Sequence, residues 1–271
     1  MKIATWNING VRSRLPLLLA WLAKAKPDIA VLQELKSPQE GFPAEELAKA
    51  GYKSIWVGEK AYNGVAILSR KSEPVLIRRA LPGDPKDKAS RYLEAAVDGL
   101  IIACLYLPNG NPQPGPRFAY KLAWFDRLIG HAKSLKKSGA PVVLLGDFNV
   151  VPTEADIYET TSYDDDALVQ PESRAAYKRL LKQGWTDSIR HLHPDETIYT
   201  FWDYFRRRWE RNAGLRIDHI LLSPNLKTKL KSANVDRWVR GETKPSDHAP
   251  VWVTLDLKTA KSAAPRKARK S

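Results

Sequence analysis

A succession of short apolar runs, each closed by polar or turn-forming residues, limits this chain to a fold built on sheets. Lys2–Trp6, Ile29–Gln33, Val65–Ser69, Leu100–Leu107, Val142–Gly146, Ile217–Leu222 and Val251–Leu257 are apolar or β-branched and read as strands. Amphipathic stretches alternate with them. Leu15–Lys24 reads as a helix that Pro27 and Asp28 end before the next strand. In Arg117–Lys137, Leu122, Phe125, Leu128 and Ile129 keep helical spacing, and Arg174–Gln183 is a third helix stopped by Gly184. There is no repeat at solenoid or propeller periods. With no long linker, the pattern predicts one mixed α/β domain over residues 1–257. Residues 258–271, rich in Lys, Arg and Ala and holding Pro265, predict a disordered basic tail.

At 43% hydrophobic residues the chain can bury a sizeable core. It has no apolar stretch of about 18 residues, which argues against a transmembrane helix. Met1 and Lys2 lead into Ile-Ala-Thr-Trp-Asn, without the apolar run of a secretory signal. Cys104 is the only cysteine, so no internal disulfide forms; its apolar run implies inert packing. A cytoplasmic monomer is expected, nucleoid-associated in a bacterium. The net charge of +14 points to a polyanionic partner. Lys258, Lys261, Arg266, Lys267, Arg269 and Lys270 account for six of these charges, and removing them leaves +8 on the body. Solubility alone is the bland alternative.

Where the acids and amides fall is more informative. Asn7 and Asn9 follow the first strand, Glu34 ends the second, and Asp147 and Asn149 follow Val142–Gly146. Asp218 lies in Arg-Ile-Asp-His-Ile-Leu-Leu, and Asp247-His248 precedes the final strand. Any one of these is an ordinary turn former. Glu34 and Asp218 differ, because a carboxylate in an apolar setting costs several kcal/mol unless it is paired or holds a cation. Mg²⁺, a hard ion, takes one or two carboxylates plus phosphate oxygens, and Glu34 and Asp247 can supply those carboxylates. The Cys/His pattern of zinc is lacking. His248 beside Asp247 leaves zinc or nickel as the alternative.

Six motifs then stand in order: Trp-Asn-Ile-Asn-Gly-Val-Arg (6–12), Leu-Gln-Glu-Leu-Lys (32–36), Tyr-Leu-Pro-Asn-Gly (106–110), Gly-Asp-Phe-Asn (146–149), Gly-Leu-Arg-Ile-Asp (214–218) and Pro-Ser-Asp-His-Ala-Pro (245–250). Together they resemble the exonuclease III family of abasic-site endonucleases, over nearly the whole body. Gly-Asp-Phe-Asn and Ser-Asp-His are shared with pancreatic-type deoxyribonucleases, sphingomyelinases and inositol-polyphosphate phosphatases; the other motifs are more specific. Leu35 stands where Thr is usual, and Asn109 is one of two amides seen at its place.

The resemblance implies a four-layer α/β sandwich of two mainly antiparallel sheets flanked by helices. It implies a divalent-metal-dependent phosphodiesterase that cuts DNA 5′ to an abasic site, leaving a 3′-OH and a 5′-deoxyribose phosphate. The accompanying 3′→5′ exonuclease and 3′-phosphatase activities are expected too. The substrate is then double-stranded DNA with abasic sites or blocked 3′ ends. Glu34 and Asp247 bind Mg²⁺, for which Mn²⁺ can substitute, with Asn7 in support and Asp147, Asn149 and His248 close enough to join. Asp147 orients or deprotonates the attacking water, Asn149 positions it, and His248, held by Asp218, bonds the scissile phosphate. Tyr106 and Asn109 contact phosphate oxygens; Arg12, Lys36 and Lys121 add charge.

Residues 199–212 interleave Phe201, Trp202, Tyr204, Phe205 and Trp209 with Arg206, Arg207, Arg208 and Arg211. Such a segment can stack on bases and grip phosphates, each stacked base being worth about 1–3 kcal/mol. Inward packing is the competing reading, and Trp202 suits it. By resemblance Phe201, Leu215 and Ile217 line a pocket for an extruded abasic sugar, with Trp202 nearby and Phe205 probing the gap in the stack. A phospholipid or inositol-phosphate hydrolase is disfavoured by the positive charge and this segment. A catalytically silent relative is disfavoured because every matching position holds a competent residue.

Overall fold

The computed structural model describes residues 1–257; the tail for which the sequence predicts disorder lies outside them. Twelve strands run in chain order: β1 Lys2–Asn7, β2 Ile29–Gln33, β3 Lys53–Val57, β4 Val65–Ser69, β5 Val75–Arg78, β6 Tyr92–Val97, β7 Leu100–Tyr106, β8 Val142–Asp147, β9 Thr186–Asp187, β10 Asp218–Leu222, β11 Leu230–Val235 and β12 Val251–Leu255. The helices are α1 Leu15–Ala25, α2 Ala44–Lys49, α3 Pro116–Lys137, α4 Pro171–Leu181, α5 Ser188–Leu192 and α6 Pro224–Lys227. All seven strands read from the sequence are present, as are the three helices. Five strands, β3, β5, β6, β9 and β11, escape the pattern. β5 is exposed throughout, β9 has two residues, and β6 interrupts its apolar row with Glu94.

The strands form two six-stranded sheets, ordered β11-β12-β1-β2-β4-β3 and β5-β6-β7-β8-β10-β9. Each has one parallel pair at its centre, β1–β2 or β7–β8, and antiparallel neighbours elsewhere. The two topologies match when β11 and β12 are taken ahead of β1. The sequence reading found no repeat, because the correspondence lies in strand order alone.

Side-chain alternation builds the layers. Ile3, Val31 and Ile67 of the first sheet meet Ile102, Val143 and Ile220 of the second in one core. Ala4, Trp6 and Leu32 turn the other way, onto Leu18, Trp21 and Leu22 of α1. Ala103, Val142 and Leu144 likewise pack on Trp124, Phe125 and Leu128 of α3 and on Tyr177 and Leu180 of α4. Strands covered on both faces read as continuous apolar runs, which is why these are the ones visible in the sequence. Burying each such side chain stabilises the fold by about 1.5–3 kcal/mol. The result is the expected four-layer sandwich.

Candidate active site

The polar cluster continues the core rows between the sheets. In β1 the row Ile3, Thr5 ends in Asn7; in β7, Ile102, Cys104 ends in Tyr106; in β8, Val143, Leu145 ends in Asp147. In β10, Ile220 and Leu222 share the parity of Asp218. A strand's side chains alternate with period two, so these four residues necessarily point between the sheets. Register aligns them: Asp147 pairs with Tyr106 on one side and with Asp218 on the other.

One amide joins the two sheets. Asn7 Nδ2 donates to Asp147 Oδ2 at 3.0 Å and lies 3.2 Å from Glu34 Oε1. The Tyr106 hydroxyl donates to that same Glu34 oxygen at 2.5 Å, and Lys36 Nζ lies 2.8 Å from the other. Lys36 also donates to Asn9 Oδ1 at 2.6 Å, and Asn9 Nδ2 donates to Asp247 Oδ1 at 2.9 Å. Asp247 is thereby linked to Glu34. The Asn149 backbone N–H donates to Asp147 Oδ1 at 2.8 Å. His248 Nδ1 donates to Asp218 Oδ2 at 2.8 Å, leaving Nε2 3.8 Å from Asp147 Oδ2. Phe201 meets the imidazole edge-on, 4.9 Å between centroids.

The backbone here is strained. Asn9, Glu34, Lys36 and Asn149 all have φ between 46° and 51°, a left-handed conformation that non-glycine residues rarely adopt. Each costs on the order of 1–3 kcal/mol and persists only where surrounding bonds fix it. Backbone bonds from Gly10 to the Glu34 carbonyl and from Leu35 to Gly64 supply part of that restraint.

Burial opposes charge on Glu34, but Lys36, the Tyr106 hydroxyl and His248 hold its carboxyl below the ordinary range. Burial pushes Asp147 up and Asp218 adds to it, while the His248 charge pulls the other way; the net shift is upward. Burial likewise disfavours a charged His248, yet the charge and hydrogen bond of Asp218 outweigh it and lift the imidazole to about 10. Burial and the nearby carboxylates push Tyr106 well above its usual range. The site thus presents a buried acid with a raised pKa, an imidazolium and a Glu34 carboxylate held ionised.

A divalent cation fits this donor set. Asp147 and Asp218 present carboxylate oxygens within 4.8 Å of each other, while His248, as an imidazolium, offers no lone pair and serves as a donor. Asp218 Oδ1 is buried without a hydrogen-bond partner. Glu34 adds a carboxylate from the first sheet, joined to Asp147 through Asn7, and Asp247 is linked to it through Asn9 and Lys36. Oxygen donors with no thiolate suit a hard ion.

Two sequence expectations need correction. Lys121 is fully buried, and its ammonium donates to the carbonyls of Asn109 (2.9 Å), Asn149 (2.5 Å) and Ala167 (3.2 Å). Its three N–H groups are taken, so it does not contribute surface charge for phosphate. Burial lowers its pKa to about 7, against Asp166 and Asp147. Trp202 is also fully buried, edge-on to Trp209 at 5.0 Å, with its indole N–H on Asn212. It belongs to the core, where an indole buries far more apolar area than it loses in hydration. Arg12 stays exposed at the surface outside the acid cluster, its guanidinium donating to the Gly41 carbonyl and lying 3.6 Å from Glu46, so its expected role toward substrate is left open.

The aromatic–arginine segment divides. Phe205 is 73% exposed and Tyr204 47%, with Arg206, Arg207 and Arg211 exposed around them. Arg208 instead turns inward, its guanidinium 4.8 Å from the Tyr163 ring centroid and bonded to that hydroxyl. Leu215 and Ile217 are packed under Tyr163, Leu168 and Val151, with Phe201 at their edge. Among the residues the sequence reading gave no role, Ser246 donates to the Asn7 carbonyl at 2.7 Å and accepts from the His248 N–H. Thr200 Oγ1 accepts from the N–H groups of Ile217 and Asp218. Adjacency to Asp247-His248 and to Phe201 was the only signal for either.

A four-layer sandwich with an amide-bridged set of acids and an Asp-held histidine at one rim defines a class of phosphoester-processing fold. The model of the Endonuclease/Exonuclease/phosphatase family matches residues 4–248, and the chain belongs to that family. Within it the likeness is to exonuclease III. Exodeoxyribonuclease III of Haemophilus influenzae is 34% identical over 264 residues, covering 93% of this chain and 98% of that protein. Among solved structures, the 3′ phosphatase NExo from Neisseria, bound to a product DNA hairpin, superposes with a TM-score of 0.92 at 41% identity, covering 95% of this chain and all of that one. An AP endonuclease from Archaeoglobus fulgidus gives 0.91 at 35% identity with the same coverage.

Proposed function

We propose that this chain is a DNA-repair phosphodiesterase that hydrolyses the backbone 5′ to an abasic site, with 3′→5′ exonuclease and 3′-phosphatase activity at the same centre. The observation that carries the reading is the Asn7 amide shared by Asp147 and Glu34, opposite the His248–Asp218 pair. It gathers carboxylates from both sheets around one charged donor, His248 Nε2, 3.8 Å from Asp147 Oδ2. In phosphodiester hydrolysis, negative charge grows on the phosphoryl oxygens and on the leaving 3′ oxygen. His248 donates from Nε2 to a phosphate oxygen, and Asp218 holds the ring in that tautomer and charge state. Asp147 accepts the proton of the attacking water, oriented by Asn149 and Asn7. Tyr106 and Asn109 contact phosphate oxygens. Glu34 and Asp247, with Asn7 in support, hold Mg²⁺, which when bound offsets the charge developing on phosphate. Lys36 keeps Glu34 ionised.

The partner is duplex DNA with an abasic site or a blocked 3′ end. The net charge of +14 and the exposed Phe205, Arg206 and Arg207 suit it. The test is an end-labelled duplex carrying one abasic site, beside one with a 3′-phosphate, each with and without Mg²⁺. Mg²⁺-dependent incision by the wild type, absent in Glu34→Ala and Asp247→Ala, is expected. Full activity of Glu34→Ala in EDTA overturns the metal assignment. Failure to incise the abasic strand while 3′-phosphate is released confines the protein to 3′-end processing.

A further inference from the structure

Lys121 lies in α3, a helix whose buried Trp124, Phe125, Leu128, Ala132 and Leu135 pack on the second sheet. A fully buried lysine with three carbonyl acceptors is expensive to desolvate and is found where the backbone it binds must not move. The three carbonyls come from three separate loops. Asn109 follows β7, Asn149 follows β8, and Ala167 belongs to the loop whose Leu168 packs on Leu215 and Ile217.

The loops are bonded to one another as well as to the lysine. Asn111 Oδ1 accepts from the Ala167 N–H at 2.9 Å, and Val151 donates to the Leu168 carbonyl. Asn149 is in the left-handed conformation, φ 46°, and its side-chain amide donates to the Leu107 carbonyl and lies 3.3 Å from Asp147 Oδ2. Asn109 Nδ2 lies 3.3 Å from Asn149 Oδ1. Gly110, φ 97°, sits so close that a Cβ there would come within 2.6 Å of Lys121 Cδ. The lysine stem and its ammonium together form the floor on which both amides stand.

We infer that Lys121 is a positioning residue for the hydrolysis proposed above, acting through Asn109 and Asn149 without touching DNA. Its ammonium fixes the carbonyl of Asn149 and so the side chain that orients the water on Asp147. This rests on the phosphodiesterase reading. It separates from a phosphate-binding role by its kinetic signature. A lysine that grips phosphate, when removed, raises KM and flattens the salt dependence by roughly 0.9 log units per phosphate. A lysine that positions catalytic amides lowers kcat and leaves both unchanged.

The experiment compares wild type, Lys121→Met and Lys121→Arg on a duplex with a 3′-phosphate and one with an abasic site, with kcat, KM and the salt slope of binding measured. Fold is checked by near-ultraviolet circular dichroism. Lys121→Met is expected to lose at least about tenfold in kcat, since misplacement by 1 Å can cost roughly 10²-fold. KM and salt slope should stay within twofold, and Lys121→Arg should recover part of the loss. Combined with Asn149→Ala, Lys121→Met should add little, because both remove the same positioning. A raised KM with a flatter salt slope, or unchanged kcat in the folded Lys121→Met protein, overturns the inference. Should Lys121→Met not fold, Lys121→Arg decides: lowered kcat at unchanged KM and salt slope supports positioning, and wild-type kcat refutes it. An inactive wild type would instead refute the phosphodiesterase reading.

Discussion

Acidification from pH 7 to 4 should remove one stabilising contribution from this protein, that of His219, the neighbour of Asp218 on β10. His219 is fully buried. Its Nδ1 lies 3.0 Å from Arg216 Nη1 and accepts from it, while Nε2 donates to the Val150 carbonyl at 3.1 Å. A second proton on this ring would face the guanidinium. Burial, then the Arg216 charge, lower its pKa from 6.5 to about 4, against the opposing pull of Asp187. A base whose folded pKa is depressed binds protons more readily once unfolded. Its stabilising contribution is therefore complete above about pH 6.5 and is lost as pH falls toward 4. The gap of about 2.5 units, at 1.36 kcal/mol per unit, makes that loss about 3 kcal/mol. For a domain of this size, 1 kcal/mol moves Tm by about 2–4 °C, so the His219 contribution alone is worth roughly 6–12 °C; Asp147, whose pKa is shifted upward, acts in the opposite direction in the same window, so the readout is the difference between wild type and a His219 variant. Asp156 contributes little in this window: burial opposes its ionisation, but Arg216 and Arg190 hold its pKa at about 2, so its stabilisation is lost mainly as pH falls below about 4. Thermal melts followed by circular dichroism between pH 7 and 4, on wild type and His219→Asn, test it. The asparagine oxygen can accept from Arg216 but does not titrate, so between pH 7 and 4 the Tm of wild type should drop by roughly 6–12 °C relative to that of the variant. An equal drop in both proteins refutes the assignment.

His248→Ala should lower kcat by about 10²–10³, the usual worth of one transition-state donor, and Asp218→Ala somewhat less; collapse of affinity at intact turnover, seen in single-turnover kinetics, would make His248 a binding residue. Trp202→Ala should cost about 3–5 kcal/mol of stability in denaturant titrations. Phe205→Ala, from a position 73% exposed, should leave stability unchanged and weaken binding to abasic duplex by about 1–3 kcal/mol; the reverse pattern would exchange their roles. A chain ending at Leu257 should keep its turnover, and its binding to duplex DNA should depend less steeply on salt, by roughly 0.9 log units for each phosphate that the tail neutralises. Identical salt slopes would show that the six basic residues of the tail do not engage DNA.

The rows were already written in the sequence. Ile3-x-Thr5-x-Asn7, Val143-x-Leu145-x-Asp147 and Asp218-x-Ile220 carry their own parity, since alternation along a strand is local. That parity already turned the polar end of each row the same way as its apolar part. The motifs added the family, and with it the four-layer sandwich that the sheets display. Partnership across the sheets arose only when the two sheets packed. Nothing local to Asn7 says that its amide spans Glu34 and Asp147, and nothing near Asp218 names His248 as the ring it holds. The edge strands β5 and β11 were invisible for a related reason, since strands covered on one face or none lack a continuous apolar signal. Lys121 and Arg208 look like surface charges in the sequence, because a lysine or arginine is buried only where the fold delivers acceptors to it. Three carbonyls from three loops and the Tyr163 hydroxyl and ring do so here. Those acceptors lie between 12 and 46 residues away along the chain, a distance over which only packing decides what meets.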